Sequence, residues 1–258
     1  MQSPHRTQHR TKGKKSKSQS NQADFFSDNI LDFPSFDKIR TTADIKPQTV
    51  NQRRYVQSIH ANMVTLVLAP AGCGKTLLGL YNGVKLFNSD TSPIDHILYV
   101  RSIVENSEER GIGFLTGDKA EKLAPYYRPA VDNLKQFMSD SEAEYLFQGR
   151  RASIEIPEFL EGRSLKNTFV FFDEAHASSK PTLNMILERL GEGSKLVIAG
   201  WPSQRKNRGL DPLESLANAV RFAGLPSWGL IEMTQADNLR NGLYREWEPT
   251  LCHWLNKN

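Results

Sequence analysis

The sequence predicts an α/β fold with a mostly parallel sheet that carries helices on both faces. Apolar segments of strand length, among them "MVTLVLA", "TFVFFDE" and "SKLVIAG", alternate along the chain with longer amphipathic segments. Strands that alternate with helices pair in parallel, because each helix returns the chain to the start of the next strand. The segment "TFVFFDE" has an unbroken apolar run before its two carboxylates, as expected of a strand in the middle of a sheet covered on both sides.

The first half of the chain predicts a helix, a strand, a helix and a strand. The segment "VNQRRYVQSIHAN" places Val50, Tyr55, Val56 and Ile59 on one face, which indicates an amphipathic helix. The strand "MVTLVLA", the helix "KTLLGLYNGVKLF" and the strand "HILYVRS" follow. Residues 102–117 are polar and contain three glycines, which predicts a loop.

The second half continues the alternation. The segment "DKAEKLAPYYRPAVDNLKQFM" is helical in pattern, and Pro125 and Pro129 predict a kink or a split in it. The strands "ASIEIPE" and "TFVFFDE" precede the helix "KPTLNMILERLG", which has Pro181 in its first turn and Gly191 at its end. The segments "SKLVIAG" and "WGLIEMT" complete the strands. We expect the last of them to lie well away from the first strand.

Composition is that of a soluble protein in a reducing compartment. The chain has 258 residues, 38% of them hydrophobic and 24% charged, which suits one α/β domain or two small ones. No window approaches about 18 consecutive apolar residues, so neither a membrane span nor membrane binding is expected. Cys73 and Cys252 lack metal-type spacing and exclude a disulfide scaffold. A cytoplasmic location is therefore expected.

Charge divides the chain into a tail, a linker and a domain. The first 20 residues hold six Lys or Arg residues and no acidic residue, although the whole chain has a net charge of only +4. We expect residues 1–22 to be a disordered basic tail, residues 23–46 a linker and residues 47–258 a folded domain. The tail has no apolar segment of the kind found in secretory signals. Binding of a polyanion such as RNA or DNA and simple solubilisation both explain its charge.

The segment "APAGCGKT" has the pattern of a phosphate-binding loop. Gly72 and Gly74 allow backbone N–H groups to converge on a phosphate. Lys75 supplies a cation for the β- and γ-phosphates, and Thr76 supplies a hydroxyl for Mg²⁺. A plain turn between strand and helix is the alternative, but it does not explain why Lys and Thr occupy these positions. The predicted nucleotide-binding residues of the loop are Ala69, Pro70, Ala71, Gly72, Cys73, Gly74, Lys75 and Thr76.

Two carboxylates follow the apolar strand in "TFVFFDEAHASS". Asp173 is expected to hold Mg²⁺ and Glu174 to polarise the attacking water, as in nucleotide hydrolases. Acidic pairs are common at strand ends, but together with Lys75 this pair favours an enzyme that hydrolyses nucleoside triphosphates. His176 extends the motif to "DEAH" and is expected to make local hydrogen bonds. In "GSKLVIAGWPSQ", Gln204 is expected to contact the γ-phosphate or the attacking water.

Together these segments resemble the PhoH-like family of P-loop ATPases, relatives of the superfamily 1 helicases. The resemblance extends from about residue 46 to about residue 246. Its most distinctive blocks are "GFLTGD" with "YYRP", and "EGRSL" with "DEAH". It implies a single RecA-like domain, and compact forms of this kind resemble those carried by phages, in an infected bacterial cytoplasm. Some family members carry a fused nuclease domain, for which this chain has no room.

The resemblance also implies roles for residues outside the phosphate loop. Gln52 matches a glutamine that reads the adenine edge, and Arg240 matches an arginine finger. Three residues fall where helicase-like relatives meet nucleic acid: Arg101, Phe114 and Arg163.

One position departs from the family. Where the family has Gly-Asp before the glutamine of the fifth strand, this chain has Gly200 and Trp201, and therefore lacks an acidic residue near the γ-phosphate.

The sequence thus predicts an ATPase that uses ATP and Mg²⁺ and acts on RNA or single-stranded DNA as a homo-oligomeric ring, of the hexamer type in the family. Because the last strand is expected far from the phosphate loop, Arg240 is expected to reach the site of a neighbouring subunit. The alternative is a nucleotide-regulated binding module with little turnover that modulates a host or phage partner.

Overall fold

The structure, a computed structural model, describes four parts of the chain: residues 38–102, 119–149, 151–202 and 211–239. For residues 119–126 it describes the backbone only. All of these parts belong to one compact unit, Asp37–Asn258. The predicted tail, residues 1–22, and most of the predicted loop, residues 102–117, lie outside the described residues.

Six strands form one sheet, in which every pair is parallel and the order is β3-β2-β4-β5-β1-β6. The strands are β1 (Val64–Leu68), β2 (His96–Arg101), β3 (Ala152–Glu155), β4 (Thr168–Asp173), β5 (Lys195–Gly200) and β6 (Trp228–Glu232). The helices in the described residues are α1 (Val50–Ala61), α2 (Lys75–Phe87), α3 (Lys119–Leu134), α4 (Asp140–Tyr145), α5 (Lys180–Arg189) and α6 (Pro212–Ala223). The predicted α/β fold with a parallel sheet is confirmed.

Helices cover both faces of the sheet, as predicted. Because side chains alternate along a strand, Phe169 and Phe171 of β4 enter one core layer, which is completed by α1 to α4. Val170 and Phe172 enter the opposite layer, which is completed by α5 and α6. All six residues of β4 are buried, as expected for an interior strand of a three-layer fold.

Two glycines bring α2 unusually close to β4. A Cβ atom at Gly79 would lie 2.1 Å from Cε2 of Phe171, and one at Gly83 would lie 2.5 Å from the ring of Phe169. Only glycine permits this approach, because real Cβ atoms do not come so close to another side chain. The contact sets the position of the helix that begins in the phosphate loop relative to the strand that carries the carboxylates.

The last strand lies directly beside the first, which makes the predicted separation wrong. β6 pairs in parallel with β1, from Val64 opposite Trp228 to Leu68 opposite Glu232. β5 pairs with one edge of β1, so the opposite edge is available to a further parallel strand, and β6 takes it. The carboxyl end of β6, which leads towards Arg240, therefore lies next to the strand that enters the phosphate loop.

The helices differ from the prediction in three places. Of the predicted kink or split at Pro125 and Pro129, the split is wrong, because α3 runs through both prolines. Helices α4 and α6 were not predicted. Yet α6 has clear sequence signals, since Asp211 caps its first turn and proline follows directly.

The end of the predicted linker, residues 38–46, contacts the domain. The N–H of Ile39 donates to Oδ1 of Asn88, whose side-chain amide donates back to the carbonyl of Ile39, each at 2.7 Å. The N–H of Thr42 donates to the carbonyl of Phe137 at 2.8 Å. Ile39 itself is buried in the core layer that contains α2.

None of the helices in the described residues is long and apolar enough to span a membrane.

Candidate active site

The carboxyl ends of the parallel strands meet at one edge of the sheet, which is where open α/β sheets bind ligands. The phosphate loop, residues 69–76, follows β1, and the acidic strand end, Asp173 and Glu174, follows β4. One strand, β5, separates β1 from β4. This spacing leaves the loop and the carboxylates facing each other across the end of β5.

The phosphate loop has the backbone of an anion-binding turn. Gly72 and Gly74 adopt φ values of 86° and 80°, which favour glycine. Nζ of Lys75 donates to the carbonyls of Ala69 and Pro70, at 2.6 and 2.9 Å, so the ammonium group lies inside the curve of the loop. The predicted loop residues therefore form one continuous turn around a cation.

The first turn of α2 has no side-chain cap. Its N-cap is Gly74, which offers no acceptor to the N–H groups of that turn. Four other described helices are capped by a side-chain oxygen, from Thr49, Ser139, Ser179 and Asp211. Uncapped N–H groups at a helix start, next to a lysine, suit a phosphate because the helix dipole and the cation both favour negative charge.

A direct hydrogen bond joins the loop to the acidic strand end. Oγ1 of Thr76 donates to Oδ2 of Asp173 at 3.1 Å, across 97 residues of sequence. The hydroxyl of Tyr99 donates to the same oxygen at 2.9 Å. Burial and the charge of Asp173 raise the pKa of Tyr99, so this hydroxyl remains a donor. The predicted Mg²⁺ ligands, Thr76 and Asp173, are thus brought together.

The donor set fits a magnesium ion that shares its coordination with a nucleotide. A hydroxyl and a carboxylate are the oxygen ligands that Mg²⁺ uses, and the ion completes its shell with waters and phosphate oxygens. Among the residues that the structure describes, no three or more His, Cys, Asp or Glu side chains form a group that could hold a metal ion.

Glu174 has a backbone conformation that is rare for a residue with a side chain. Its φ and ψ are 53° and 35°, in the left-handed region, and its N–H donates to Oδ1 of Asp173 at 3.0 Å. Such a conformation costs about 1–3 kcal/mol and is typical of functional sites. Burial and the neighbouring charge of Asp173 raise the pKa of Glu174, while Arg101 and Lys75 act in the opposite direction.

His176 lies beneath Glu174. Its side chain is buried, and its Nδ1 lies 3.4 Å from Oε2 of Glu174 without the geometry of a hydrogen bond. Burial, followed by the charge of Lys75, lowers the pKa of His176 to about 4, so the ring is neutral at pH 7. Nδ1 has no hydrogen-bond partner among the described residues, and the expected local hydrogen bonding of His176 stays a prediction.

Gln52 connects α1 to the phosphate loop. Its Oε1 accepts from the N–H groups of Gln48 and Thr49, at 2.7 and 3.3 Å, and its Nε2 donates to the carbonyl of Cys73 at 3.0 Å. The side chain is buried next to the loop. Its role in reading adenine stays a prediction, and in the structure the amide orders the loop.

The chain after β6 also packs against the phosphate loop. The N–H of Leu239 donates to the carbonyl of Gly72 at 3.2 Å, and Sγ of Cys73 donates to the carbonyl of Thr234 at 3.6 Å. Arg240 lies outside the described residues, but it follows Leu239 directly in the chain. The premise that its segment is remote from the phosphate loop of its own subunit is wrong.

The three residues expected to meet nucleic acid have different positions. Arg101 lies at the acidic strand end, with Nη1 3.8 Å from Oδ2 of Asp173. Arg163 is on the surface, where its Nη1 lies 3.2 Å from Oε1 of Glu155. Phe114 lies outside the described residues.

Two further positions that the sequence analysis singled out, Trp201 and Gln204, follow β5. Trp201 is half-buried and packs against the core layer that contains α5 and α6, so the position of the family's acidic residue is occupied by an apolar side chain. Gln204 lies outside the described residues.

A model of the family described as "PhoH-like protein" matches residues 44–250. The chain belongs to the PhoH-like family. The match covers the phosphate loop, the acidic strand end and β6, and it confirms the resemblance recognised in the sequence.

Relatives of this PhoH-like protein come from distant bacteria. Protein PhoH of Escherichia coli is 32% identical over 209 residues, which are 79% of this chain and 57% of that protein. A PhoH-like protein of Bacillus subtilis is 33% identical over 206 residues, 77% of this chain and 61% of its own length. One from Mycobacterium leprae is 35% identical over 166 residues, 64% of this chain and 46% of its own. The chain thus spans about half the length of its curated relatives.

Among solved structures, the chain is similar to the large terminase of a thermophilic bacteriophage. The form in complex with ADP gives a TM-score of 0.47 at 14% identity and covers 78% of this chain and 49% of the terminase. A second crystal form gives a TM-score of 0.49 at 12% identity, with 80% and 50% covered.

Sequence reasoning missed two contacts of the acidic strand end. Tyr99 reads as an ordinary apolar position of β2, and only the pairing of β2 with β4 brings its hydroxyl to Asp173. His176 was noticed as part of "DEAH", but its burial under Glu174 has no signal in a single sequence. The contact of Tyr99 joins segments that are far apart in the chain, whereas His176 is only two residues from Glu174.

Proposed function

We propose that this PhoH-like protein binds ATP with Mg²⁺ and hydrolyses it. The observation that carries the proposal is the hydrogen bond from Thr76 to Asp173, which links an uncapped, glycine-built helix start to a buried carboxylate. A purely structural turn has no need for a hydroxyl and a carboxylate at this point. Arranged at the edge of a parallel sheet, they provide the two protein ligands of an Mg²⁺ ion that bridges nucleotide phosphates.

Each residue of the site has a task in this proposal. Lys75 leaves the carbonyls of its own loop to neutralise the β- and γ-phosphates, and Thr76 and Asp173 hold the metal. Glu174 takes a proton from the attacking water. Its raised pKa suits this task, since a carboxylate of higher pKa is a stronger base. Bound Mg²⁺ would withdraw negative charge from the transferred phosphoryl group.

Three further roles complete the proposal. Gln52 contacts adenine with the amide hydrogen that it does not donate to Cys73. Gln204 orients the attacking water or senses the γ-phosphate. Arg240 stabilises the charge that develops during transfer, and the contact of Leu239 with the phosphate loop favours the site of its own subunit.

The proposal extends to a partner and an assembly: hydrolysis is coupled to the binding of RNA or single-stranded DNA in a homo-oligomeric ring. The basic tail supports a polyanionic partner, because the first 20 residues carry six positive charges and no negative one. The alternative, a nucleotide-regulated module with little turnover, is favoured by Trp201, which replaces an acidic residue expected near the γ-phosphate.

Phosphate release separates these alternatives. We expect the full chain to release phosphate from ATP with Mg²⁺, faster with single-stranded RNA or DNA, and size-exclusion chromatography with light scattering to show a larger species when ATP is present. Lys75→Ala provides the control for a contaminating ATPase. Tight ATP binding with no turnover, with or without nucleic acid, would favour the binding module. A monomer under all conditions would remove the ring.

Deletion of residues 1–20 tests the tail. If the tail binds phosphates, the slope of log K against log salt for RNA binding should flatten by about 0.7 for each phosphate that is no longer neutralised. The same deletion should leave ATP hydrolysis without RNA unchanged. An unaltered slope would assign the tail to solubility alone.

A further inference from the structure

Arg101 lies among the carboxylates of the site. It is the last residue of β2, and its register partner on β4 is Asp173. Its guanidinium is largely buried, with 22% of the side chain exposed. Nη1 donates to the hydroxyl of Tyr99 at 3.3 Å, and the same nitrogen lies 3.8 Å from Oδ2 of Asp173. Nη2 lies 3.8 Å from Oε1 of Glu174. The guanidinium therefore spans both carboxylates.

Each carboxylate oxygen of Glu174 has its own neighbour. Oε1 faces Nη2 of Arg101 and Oε2 faces Nδ1 of His176, at 3.8 and 3.4 Å. The backbone of Glu174 is held separately, in its left-handed conformation, by the bond from its N–H to Asp173. The carboxylate is thus located from two sides, and of its two neighbours only Arg101 is charged at pH 7.

We propose that Arg101 is a positioning residue for Glu174. Two adjacent carboxylates repel each other, and a cation close to both offsets that repulsion. Without the guanidinium, Glu174, whose side chain is 34% exposed, would turn away from Asp173 towards solvent. This inference rests on the proposed function, in which Glu174 activates water. It assigns Arg101 to the chemistry of its own subunit and removes it from the nucleic-acid contacts that the family resemblance implies.

The expected effect of losing Arg101 follows from geometry. A general base works only when it is within hydrogen-bond reach of the water, and a displacement of about 1 Å can cost about 10²-fold in rate. Because Arg101 acts through Glu174, its loss should lower the rate of the chemical step and leave nucleotide affinity unchanged. Its effect should also vanish once Glu174 has lost its basicity.

A double-mutant cycle tests this directly. Single-turnover hydrolysis of ATP and equilibrium binding of ATP would be measured for the full chain, for Arg101→Ala, for Glu174→Gln and for the double variant. We expect Arg101→Ala to slow hydrolysis by about tenfold or more with a Kd within about threefold of wild type. The double variant should be no slower than Glu174→Gln alone. Arg101→Lys should hydrolyse ATP faster than Arg101→Ala but more slowly than wild type, since it keeps the positive charge and lacks the forked guanidinium.

The controls separate other roles of the arginine. Arg221→Ala removes an exposed arginine of α6 that pairs with Glu232 at 2.6 Å, and it should hydrolyse ATP as wild type does. Affinity for a single-stranded oligonucleotide, measured without nucleotide, should be the same for Arg101→Ala and wild type. If Arg101→Ala does not fold, Arg101→Gln takes its place in the cycle.

Three results would overturn the inference and leave the proposed function standing. They are full hydrolysis by a folded Arg101→Ala protein, a further slowing of Glu174→Gln by that change, and a loss of oligonucleotide affinity at unchanged hydrolysis. An inactive wild-type protein is a different outcome. It would overturn the proposed function, and the inference with it.

Discussion

The phosphate loop and the acidic strand end face each other across the site but are held in different ways. The loop is shaped mainly by its own residues, through two left-handed glycines and a lysine bonded to nearby carbonyls, and Gln52 and Leu239 each add one hydrogen bond to it. The acidic strand end is held by side chains from other segments, namely Thr76 of α2 and Tyr99 and Arg101 of β2. One half of the site is therefore local in sequence and the other half is assembled by the sheet.

This contrast predicts a division of labour. Changes in the loop should act on nucleotide affinity, because the loop offers its N–H groups and a cation to the phosphates. Changes at the acidic strand end should act on turnover, because that end positions a base and a metal. Variants on each side of the site test whether affinity and turnover separate in this way.

The largest effect is expected from Lys75→Ala. Removal of the only loop cation that can pair with the β- and γ-phosphates should abolish ATP binding. Isothermal titration calorimetry with ATP and Mg²⁺ would measure this. Lys85→Ala, in the last turn of the same helix, is the matched control and should bind normally. Unchanged affinity in Lys75→Ala would end the phosphate-loop assignment.

Arg240→Ala tests whether the segment after β6 belongs with the loop or with a neighbouring subunit. We expect kcat to fall by about 10³-fold, as for other arginines that stabilise phosphoryl transfer, with ATP affinity nearly intact. Mixtures with Glu174→Gln subunits distinguish the two placements. Since Leu239 bonds to Gly72 within one chain, no activity should return in mixtures shown to co-assemble. Recovered activity would place the arginine in the neighbouring site.

The carboxylates should separate turnover from binding. Glu174→Gln should keep ATP bound and slow hydrolysis by roughly 10²-fold or more, as expected for the loss of a general base. Asp173→Asn should instead weaken the Mg²⁺-dependent part of ATP binding. Stopped-flow phosphate release and a magnesium titration would measure the two effects, with the exposed Glu161→Gln as control. Normal hydrolysis by both variants would contradict the assignment of the acidic strand end.

The smallest effect concerns the pH dependence of stability and comes from His176, which lies next to Glu174 of the acidic strand end. Burial lowers the pKa of His176 from 6.5 to about 4, so the unfolded chain binds this proton more readily than the folded one. Its contribution to stability is complete above pH 6.5 and declines as pH falls towards 4. When the pH falls from 7.5 to 5, the free energy of unfolding should therefore drop by about 2 kcal/mol less in His176→Gln than in wild type.

Urea unfolding at the two pH values would measure this difference. An identical pH dependence in His176→Gln would show that His176 is not a neutral buried group in the folded protein.

What could be predicted from the sequence follows the same division. The bounds of α2, the glycines of the loop, the apolar β4 and the carboxylates at its end were all readable. Each is encoded by neighbouring residues, through strand and helix periodicity, turn chemistry and a fixed motif spacing. The family followed from longer blocks, chiefly "GFLTGD" with "YYRP" and "EGRSL" with "DEAH", which are more specific to it than the phosphate loop.

Only the tertiary structure decided how distant segments meet. It brought β6 beside β1 and so returned the segment before Arg240 to the phosphate loop of the same chain. It also aligned β2 with β4, which brought Tyr99 and Arg101 to the carboxylates. Strand order and register are set by packing across the whole sheet. A single sequence therefore determines the local motifs of this site, while the order and register of the strands decide which further side chains join them.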